Sequence, residues 1–191
     1  FTKKKTVIEI RFPDKTIKKF PKGITPFEIA QKISEGLARN ILVARINNKI
    51  VDTNKAIDSN RIVDLELITW DQDEGKNAMW HSSAHLMAEA IESFYPNAKL
   101  TIGPAIENGF YYDIYFPQNI NFSSEDFPKI ESKMIELAKQ KNTYIISQVS
   151  KQDALEHYKI RKNEFKIELI NKLNDGEITF YQQGNFIDLC K

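Results

Sequence analysis

Two of the three histidines, His81 and His85, lie four residues apart in a segment whose apolar residues recur with helical spacing. Side chains four apart on a helix project in the same direction, so the two imidazoles would share one face. Such pairs are typical of metal sites and of sites where a neutral histidine accepts a proton near pH 7. By itself, the spacing more often reflects a helix that carries two partly exposed histidines without any function.

The remaining histidine and the single cysteine have less distinctive surroundings. His157 lies in a polar helical segment and is interpreted as a surface residue, whereas Cys190 could be a small buried side chain, a ligand or a nucleophile. One cysteine forms no internal disulfide, which agrees with a reducing compartment. No apolar run reaches the roughly 18 residues of a membrane span, and the start of the chain lacks a signal-peptide core. We therefore expect a cytoplasmic protein.

The first 70 residues have the pattern of a small α+β domain. Residues 5–12 and 16–20 alternate as two strands of a hairpin, and strand-like runs recur at residues 41–47, 50–52 and 61–69. Between them, Thr25 and Glu28 form a capping box around a proline, which predicts a helix. A hairpin, a helix and further strands in this order predict a ubiquitin-like β-grasp fold for residues 1–68.

A polar segment at residues 69–78 is predicted to link this domain to a larger α+β domain at residues 79–191. The second domain is predicted to begin with a helix whose buried stripe contains Trp80, Ala84, Met87, Ile91 and Phe94. His81 and His85 each follow a member of this stripe, so they should lie along its border. The remainder contains a strand-rich region, two further helices and a closing hairpin with a Gly-Asn turn.

The charges are divided unevenly along the chain. Residues 1–70 contain 14 Lys+Arg and 8 Asp+Glu, a net charge of +6, whereas residues 71–191 contain 13 and 18, a net charge of −5. A basic domain beside an acidic one would allow contact with a polyanion such as RNA. A solvated basic face accounts for the same numbers.

Four longer motifs are more specific than the histidine pair. They are HSSAHLMAEAI at residues 81–91, IGPAIENGFYYDI at 102–114, Phe-Lys at 165–166 and FIDLC at 186–190. In this order they resemble the amino-terminal editing region of bacterial threonyl-tRNA synthetases, and the opening domain resembles the TGS domain of that family. The IGP-x-I-x-NGFYYD motif is the most specific, whereas the histidine pair alone also fits the related alanyl-tRNA editing proteins.

The resemblance implies a pocket built from six residues. Those expected to be catalytic are His81, His85, Lys166 and Cys190, and those expected to bind substrate are Tyr112 and Asp188. It implies no metal ligand. In the family the cysteine is normally followed by an R-G-P-H-like run, and this chain ends at Lys191 and begins without methionine. We therefore expect a piece of a longer protein, truncated within its editing domain.

The implied function is hydrolysis of mischarged seryl-tRNA(Thr), while the parent enzyme would ligate threonine to tRNA(Thr) with ATP. Serine and threonine differ by one methyl group, and one binding site discriminates between such substrates by only about 10- to 200-fold, so a second hydrolytic site is useful. The expected partners are the tRNA 3' end and serine, with no membrane and with a homodimer formed through regions outside this chain. No cofactor is expected here; ATP, Mg and Zn belong to the downstream catalytic domain.

Two other functions remain open at this point. His81, His85 and Cys190 could be three zinc ligands with an open fourth position, as in a zinc-dependent hydrolase of the alanyl-tRNA editing type. Lys166 beside such a site would repel a dication. Alternatively, the chain could be a non-catalytic module whose basic first part binds RNA.

Overall fold

The computed structural model describes residues 7–190. Lys191, and residues 5 and 6 of the predicted first strand, lie outside the described residues. The chain divides into two compact units, the first ending at Trp80 and the second beginning at His81. Both units mix helices with strands, so the predicted α+β class is confirmed.

The first unit opens with the predicted hairpin. Strands β1 (Val7–Arg11) and β2 (Ile17–Pro21) are antiparallel, and Ile8 lies opposite Phe20. Ile8, Ile10 and Phe20 point into the core because alternate residues of a strand face the same side. The hairpin thereby supplies three residues of the hydrophobic core of the first unit.

Three more strands complete a five-stranded sheet, β3 (Val43–Ile46), β4 (Lys49–Val51) and β5 (Val63–Ile68). The strand order is β2-β1-β5-β3-β4, with β1 and β5 parallel at the centre. A parallel pair needs a long crossover connection, and this one includes the helices α1 (Pro26–Ile33) and α2 (Glu35–Asn40). This arrangement is the predicted β-grasp fold.

Helix α1 begins where its capping box predicts. The Thr25 side chain accepts a hydrogen bond from the Glu28 N–H, and the Glu28 carboxylate accepts one from the Thr25 N–H. Such caps stabilise a helix end by about 1 kcal/mol. The helix buries Ile29 and Ala30 completely.

Helix α3 (Asp73–Phe94) starts inside the predicted linker, residues 69–78. Asp73 and Glu74 favour this start because acidic side chains are stabilised by the positive end of a helix dipole. Gly75 is required by packing, since a Cβ there would lie 1.9 Å from the Thr69 carbonyl oxygen. The connection is therefore helical from Asp73 onward, and the exact domain boundaries stay a prediction.

The buried face of α3 differs from the predicted stripe. Ala84 and Ile91 are buried as predicted. Phe94, in contrast, is 43% exposed, whereas His85 is only 4% exposed. The prediction of a partly exposed border position is thus wrong for His85. The reason is that α3 also packs its Ala88 side against other elements of the second unit, which widens the buried arc.

The second unit continues with short strands, helices and a three-stranded sheet. Its elements are β6 (Lys99–Leu100), β7 (Ala105–Ile106), β8 (Gly109–Phe110), β9 (Ile114–Tyr115), a 3-10 turn (Ser124–Asp126), α4 (Phe127–Lys139), β10 (Tyr144–Gln148), α5 (Lys151–Ile160), α6 (Glu164–Asn171), β11 (Thr179–Gln183) and β12 (Phe186–Cys190). Strands β10, β11 and β12 form an antiparallel sheet in sequence order. The closing hairpin and its Gly-Asn turn are confirmed.

The two faces of this hairpin have different surroundings. Phe186, Asp188 and Cys190 are buried on one face, while Ile187 and Leu189 pack against the apolar cluster that contains residues of α5 and α6. Within residues 7–190, none of the helices combines the length and the apolar character that crossing a membrane requires.

Candidate functional site

One cavity of about 590 Å³ in the second unit collects all six residues predicted to form the pocket. They are His81, His85, Tyr112, Lys166, Asp188 and Cys190. The cavity wall is completed by the segment 101–105 and by residues of α6 and its end. His157, by contrast, lies outside the cavity, half-buried, with its ring against Phe180.

Four elements bring these side chains together. Helix α3 supplies the two histidines, α6 supplies Lys166, and Tyr112 follows strand β8. Asp188 and Cys190 are two apart on β12, so their side chains lie on the same face of the hairpin. Regular secondary structure therefore fixes the backbone positions of the two histidines and Lys166 on their helices and of Asp188 and Cys190 on β12.

Asp188 is the centre of the polar contacts. Its carboxylate forms an ion pair with Lys166 at 2.6 Å between Nζ and Oδ1, and both side chains are at most 3% exposed. The Tyr112 hydroxyl donates to Oδ2, and the Tyr158 hydroxyl lies 3.5 Å from Oδ1. A buried carboxylate needs such partners to remain charged.

These contacts determine the protonation states of Asp188 and Tyr112. Burial alone would raise the pKa of Asp188, but the Lys166 charge and the nearby His85 hold it well below its usual range. Burial and the Asp188 charge raise the pKa of Tyr112 far above that of a free phenol. At neutral pH the site therefore contains a carboxylate and a hydroxyl donor.

The two histidines and the cysteine form a second group. His81 Nε2 lies 2.9 Å from Cys190 Sγ and 3.1 Å from His85 Nε2. On its other side, His85 Nδ1 lies 3.4 Å from Asp188 Oδ2. Burial, together with the neighbouring His85, lowers the pKa of His81 to about 4. His81 is consequently neutral at pH 7, with a free lone pair that is a weaker base than that of an ordinary imidazole.

The same group has the composition of a metal site. One nitrogen from each of His81 and His85 and the Cys190 sulfur lie within 4.8 Å of one another. Ligand atoms of tetrahedral zinc are roughly 3.3 to 3.7 Å apart, given Zn–N near 2.0 Å and Zn–S near 2.3 Å. Two histidine nitrogens and a cysteine sulfur could therefore serve as three zinc ligands. The buried Lys166 cation would repel the zinc ion.

Several residues that shape the cavity were missed by sequence reasoning. Asn163 caps α6 by accepting from the Lys166 N–H, and its amide donates to the Leu100 carbonyl at 2.9 Å. It thereby joins the helix that carries Lys166 to strand β6. An asparagine followed by glutamate is a helix-start signal that could have predicted α6.

Gly103 is another missed residue, and its role depends on close packing. A Cβ built at this position would lie 2.3 Å from a ring carbon of Tyr112. Only a residue without a side chain allows the Tyr112 ring to lie here and its hydroxyl to reach Asp188. Gly103 belongs to the most specific of the four motifs, but the motif by itself gives no packing reason for the glycine.

Replacing Gly103 by alanine is expected to displace the Tyr112 ring and to lower the free energy of unfolding by about 1 to 3 kcal/mol, as for other overpacked sites. Chemical denaturation measures this change. Gly36→Ala is the control, because the nearest atom to a Cβ at that position would be 3.9 Å away and alanine favours the helix. Equal stability of both variants would contradict the packing role of Gly103.

Comparison with known proteins agrees with this architecture. Residues 8–66 match the TGS domain family. Over 97% of its length, the chain is 51% identical to the threonine–tRNA ligase of Cytophaga hutchinsonii, 46% to that of Flavobacterium psychrophilum and 45% to that of Porphyromonas gingivalis. The chain is similar throughout to threonine–tRNA ligases. The resemblance to the amino-terminal region of threonyl-tRNA synthetases is therefore confirmed.

The similarity concerns only part of those ligases. The chain spans 28% of the length of each of these relatives. The TGS match ends at residue 66, so the cavity with the two histidines lies outside the TGS domain, in the portion that is similar to the ligases. The TGS match therefore gives no information on the chemistry of that cavity.

Proposed function

We propose that the second unit hydrolyses the ester of seryl-tRNA(Thr), and that the chain is the amino-terminal part of a threonine–tRNA ligase. The main support is the position of neutral His81 in the wall of a cavity that also contains the Lys166–Asp188 ion pair. The similarity to threonine–tRNA ligases supports the choice of tRNA. On this proposal the parent enzyme joins threonine to tRNA(Thr) with ATP.

Hydrolysis needs a base, a donor for the oxyanion and a place for the amino acid. In the proposed reaction His81 accepts a proton from water as the water oxygen bonds to the ester carbonyl carbon. The bond from that carbon to the ribose oxygen then breaks, and the proton passes to the ribose. The products are serine and uncharged tRNA.

The other residues have supporting roles in this proposal. Asp188 and Tyr112 bind the ammonium group or ribose hydroxyls, because a fixed carboxylate and a hydroxyl donor complement them. Lys166 keeps Asp188 ionised, and its positive charge in the cavity wall favours the oxyanion. His85 holds His81 through their ring nitrogens.

The test is a deacylation assay on seryl-tRNA(Thr) and threonyl-tRNA(Thr). It is run with the 191-residue chain and with the full-length natural protein, beside a sample without protein. Faster hydrolysis of the seryl ester is expected. An unchanged seryl ester with both proteins would contradict the proposal and favour the non-catalytic RNA-binding module.

Selectivity for serine is expected to depend on Cys190, since its buried side chain lines the cavity beside His81. A methyl group that clashes with a close-packed wall is rejected strongly. In Cys190→Ala of the full-length protein, hydrolysis of the threonyl ester should rise relative to the seryl ester. The ratio of the two rates measures this. An unchanged ratio would mean that another residue forms the wall that excludes the methyl group. An equal decrease of both hydrolysis rates would indicate that Cys190 is a catalytic residue or a metal ligand.

A zinc-dependent hydrolase is the second candidate, supported by the three clustered donors. His81, His85 and Cys190 would hold the ion, which would supply an activated water when bound. Metal analysis of the purified protein distinguishes the two candidates. About one zinc per chain, with loss of hydrolysis on chelation, would favour this alternative, and full activity without metal would contradict it.

The first unit is proposed to contribute to RNA binding through its excess of basic residues. Two cations on its sheet are paired, Arg11 with Asp64 and Lys19 with Glu9. Cations without such pairing are therefore the better candidates for phosphate contacts. Their contribution appears as a steep salt dependence of tRNA affinity.

A further inference from the structure

The aromatic ring of Tyr181 lies against both histidines of the cavity. It stacks on the His85 ring with centroids 5.4 Å apart and an interplanar angle of 6°. The same ring meets His81 edge-on at 5.9 Å. One side chain thus contacts both imidazoles, although it is absent from the wall of the cavity itself.

The backbone holds Tyr181 in this position. It lies on β11, the central strand of its sheet, directly opposite Asp188 in the register with β12. Directly opposed residues of an antiparallel pair point to the same face. Tyr181 and Asp188 therefore approach His85 from a common, rigid surface.

A neighbouring tyrosine supports the stack. The Tyr144 ring meets Tyr181 at 6.4 Å, and the Tyr144 hydroxyl lies 3.2 Å from the Ser82 carbonyl oxygen, to which it donates. Ser82 lies between the two histidines on α3. The sheet is therefore tied to the same turn of the helix by one hydrogen bond and one ring stack.

We propose that Tyr181 is a positioning residue that sets the orientation of the His85 ring. Rotation about the last side-chain bond of histidine has broad, shallow preferences, so a flat neighbouring ring is needed to select one orientation. In that orientation Nε2 of His85 reaches His81 while Nδ1 faces Asp188. The effect on catalysis rests on the proposed ester hydrolysis, whereas the ring orientation is a property of the fold.

The first test is NMR spectroscopy of the 191-residue chain with labelled histidines. Through-space contacts between the ring protons of Tyr181 and His85 are expected, with ring-current shifts of the His85 signals. Tyr181→Phe should retain these shifts and Tyr181→Leu should lose them. If the unmodified chain shows no such contacts between Tyr181 and His85, the proposal is overturned. This result does not depend on whether any variant folds.

The second test is single-turnover deacylation of seryl-tRNA(Thr) by the full-length protein. Tyr181→Leu should lower the catalytic rate about 10- to 100-fold with KM changed less than about threefold, because misplacing a catalytic group by about 1 Å costs this much. Tyr181→Phe should restore the rate. Tyr115→Leu, an exposed tyrosine outside the cavity, is the matched control.

The two tests separate this inference from the proposed function. An unmodified protein that does not hydrolyse the ester contradicts the proposed function, and the NMR contacts still decide the orientation of His85. A Tyr181→Leu variant with the unmodified rate overturns the positioning role. Equal loss in the Phe and Leu variants would also overturn it, because it would assign the effect to the hydroxyl.

Discussion

Replacing Lys166 by methionine is expected to lower the free energy of unfolding of the second unit by about 3 to 5 kcal/mol at pH 7. Lys166 is 2% exposed, and its Nζ lies 2.6 Å from the equally buried Asp188. Methionine fills much of the same space but leaves a buried carboxylate without its cation. Denaturation followed by a probe in the second unit measures the loss.

The expected loss depends on pH in a defined direction. In the unmodified protein the pKa of Asp188 is below its unfolded value of about 3.9, so the pair stabilises the fold above that pH and is lost as the pH falls. Without Lys166, burial raises the pKa of Asp188 and charging it becomes costly. The difference in stability should therefore grow as the pH rises from about 4.

Two controls distinguish the ion pair from general damage. Lys172→Met changes a lysine that also lines the cavity but is 67% exposed in its pair with Glu168, so a loss of at most about 0.5 kcal/mol is expected. The double change Lys166→Met with Asp188→Leu removes both buried charges and should recover most of the stability. A Lys166→Met variant within 1 kcal/mol of the unmodified protein at pH 7 would contradict the prediction.

Replacing His81 by alanine is expected to slow deacylation of seryl-tRNA(Thr) by about 10²- to 10⁴-fold, the usual contribution of a general base. His81 is neutral at pH 7, lies in the cavity wall and contacts both Cys190 and His85. Because it is only half-buried, the stability should change by about 1 kcal/mol. Single-turnover rates and denaturation of the same sample measure the two effects.

The third histidine provides the matched control for this experiment. His157 lies on α5, outside the cavity, so His157→Gln should leave the deacylation rate unchanged. His85→Ala, in contrast, should affect both rate and stability, because His85 is 4% exposed. Equal rates in the His81 and His157 variants would exclude His81 as the base.

The sequence by itself determined the features that depend on local spacing. The capping box at Thr25 predicted the start of a helix, and alternating apolar and polar residues predicted the opening and closing hairpins. The four-residue spacing predicted that His81 and His85 share one helix face. The motif ending at Cys190 put Asp188 and Cys190 on one face of a strand. Longer motifs indicated the resemblance to threonyl-tRNA synthetases and, through it, six of the residues that line the cavity.

The tertiary structure alone decided the environments of those residues. The contact of His81 with Cys190 spans 109 positions of the chain, and that of Tyr112 with Asp188 spans 76. Burial and pKa depend on neighbours of this kind, which no local pattern specifies. The burial of His85, the charged state of Asp188 and the stacking of Tyr181 therefore follow only from the packed fold, because packing brings together side chains that are distant in the sequence.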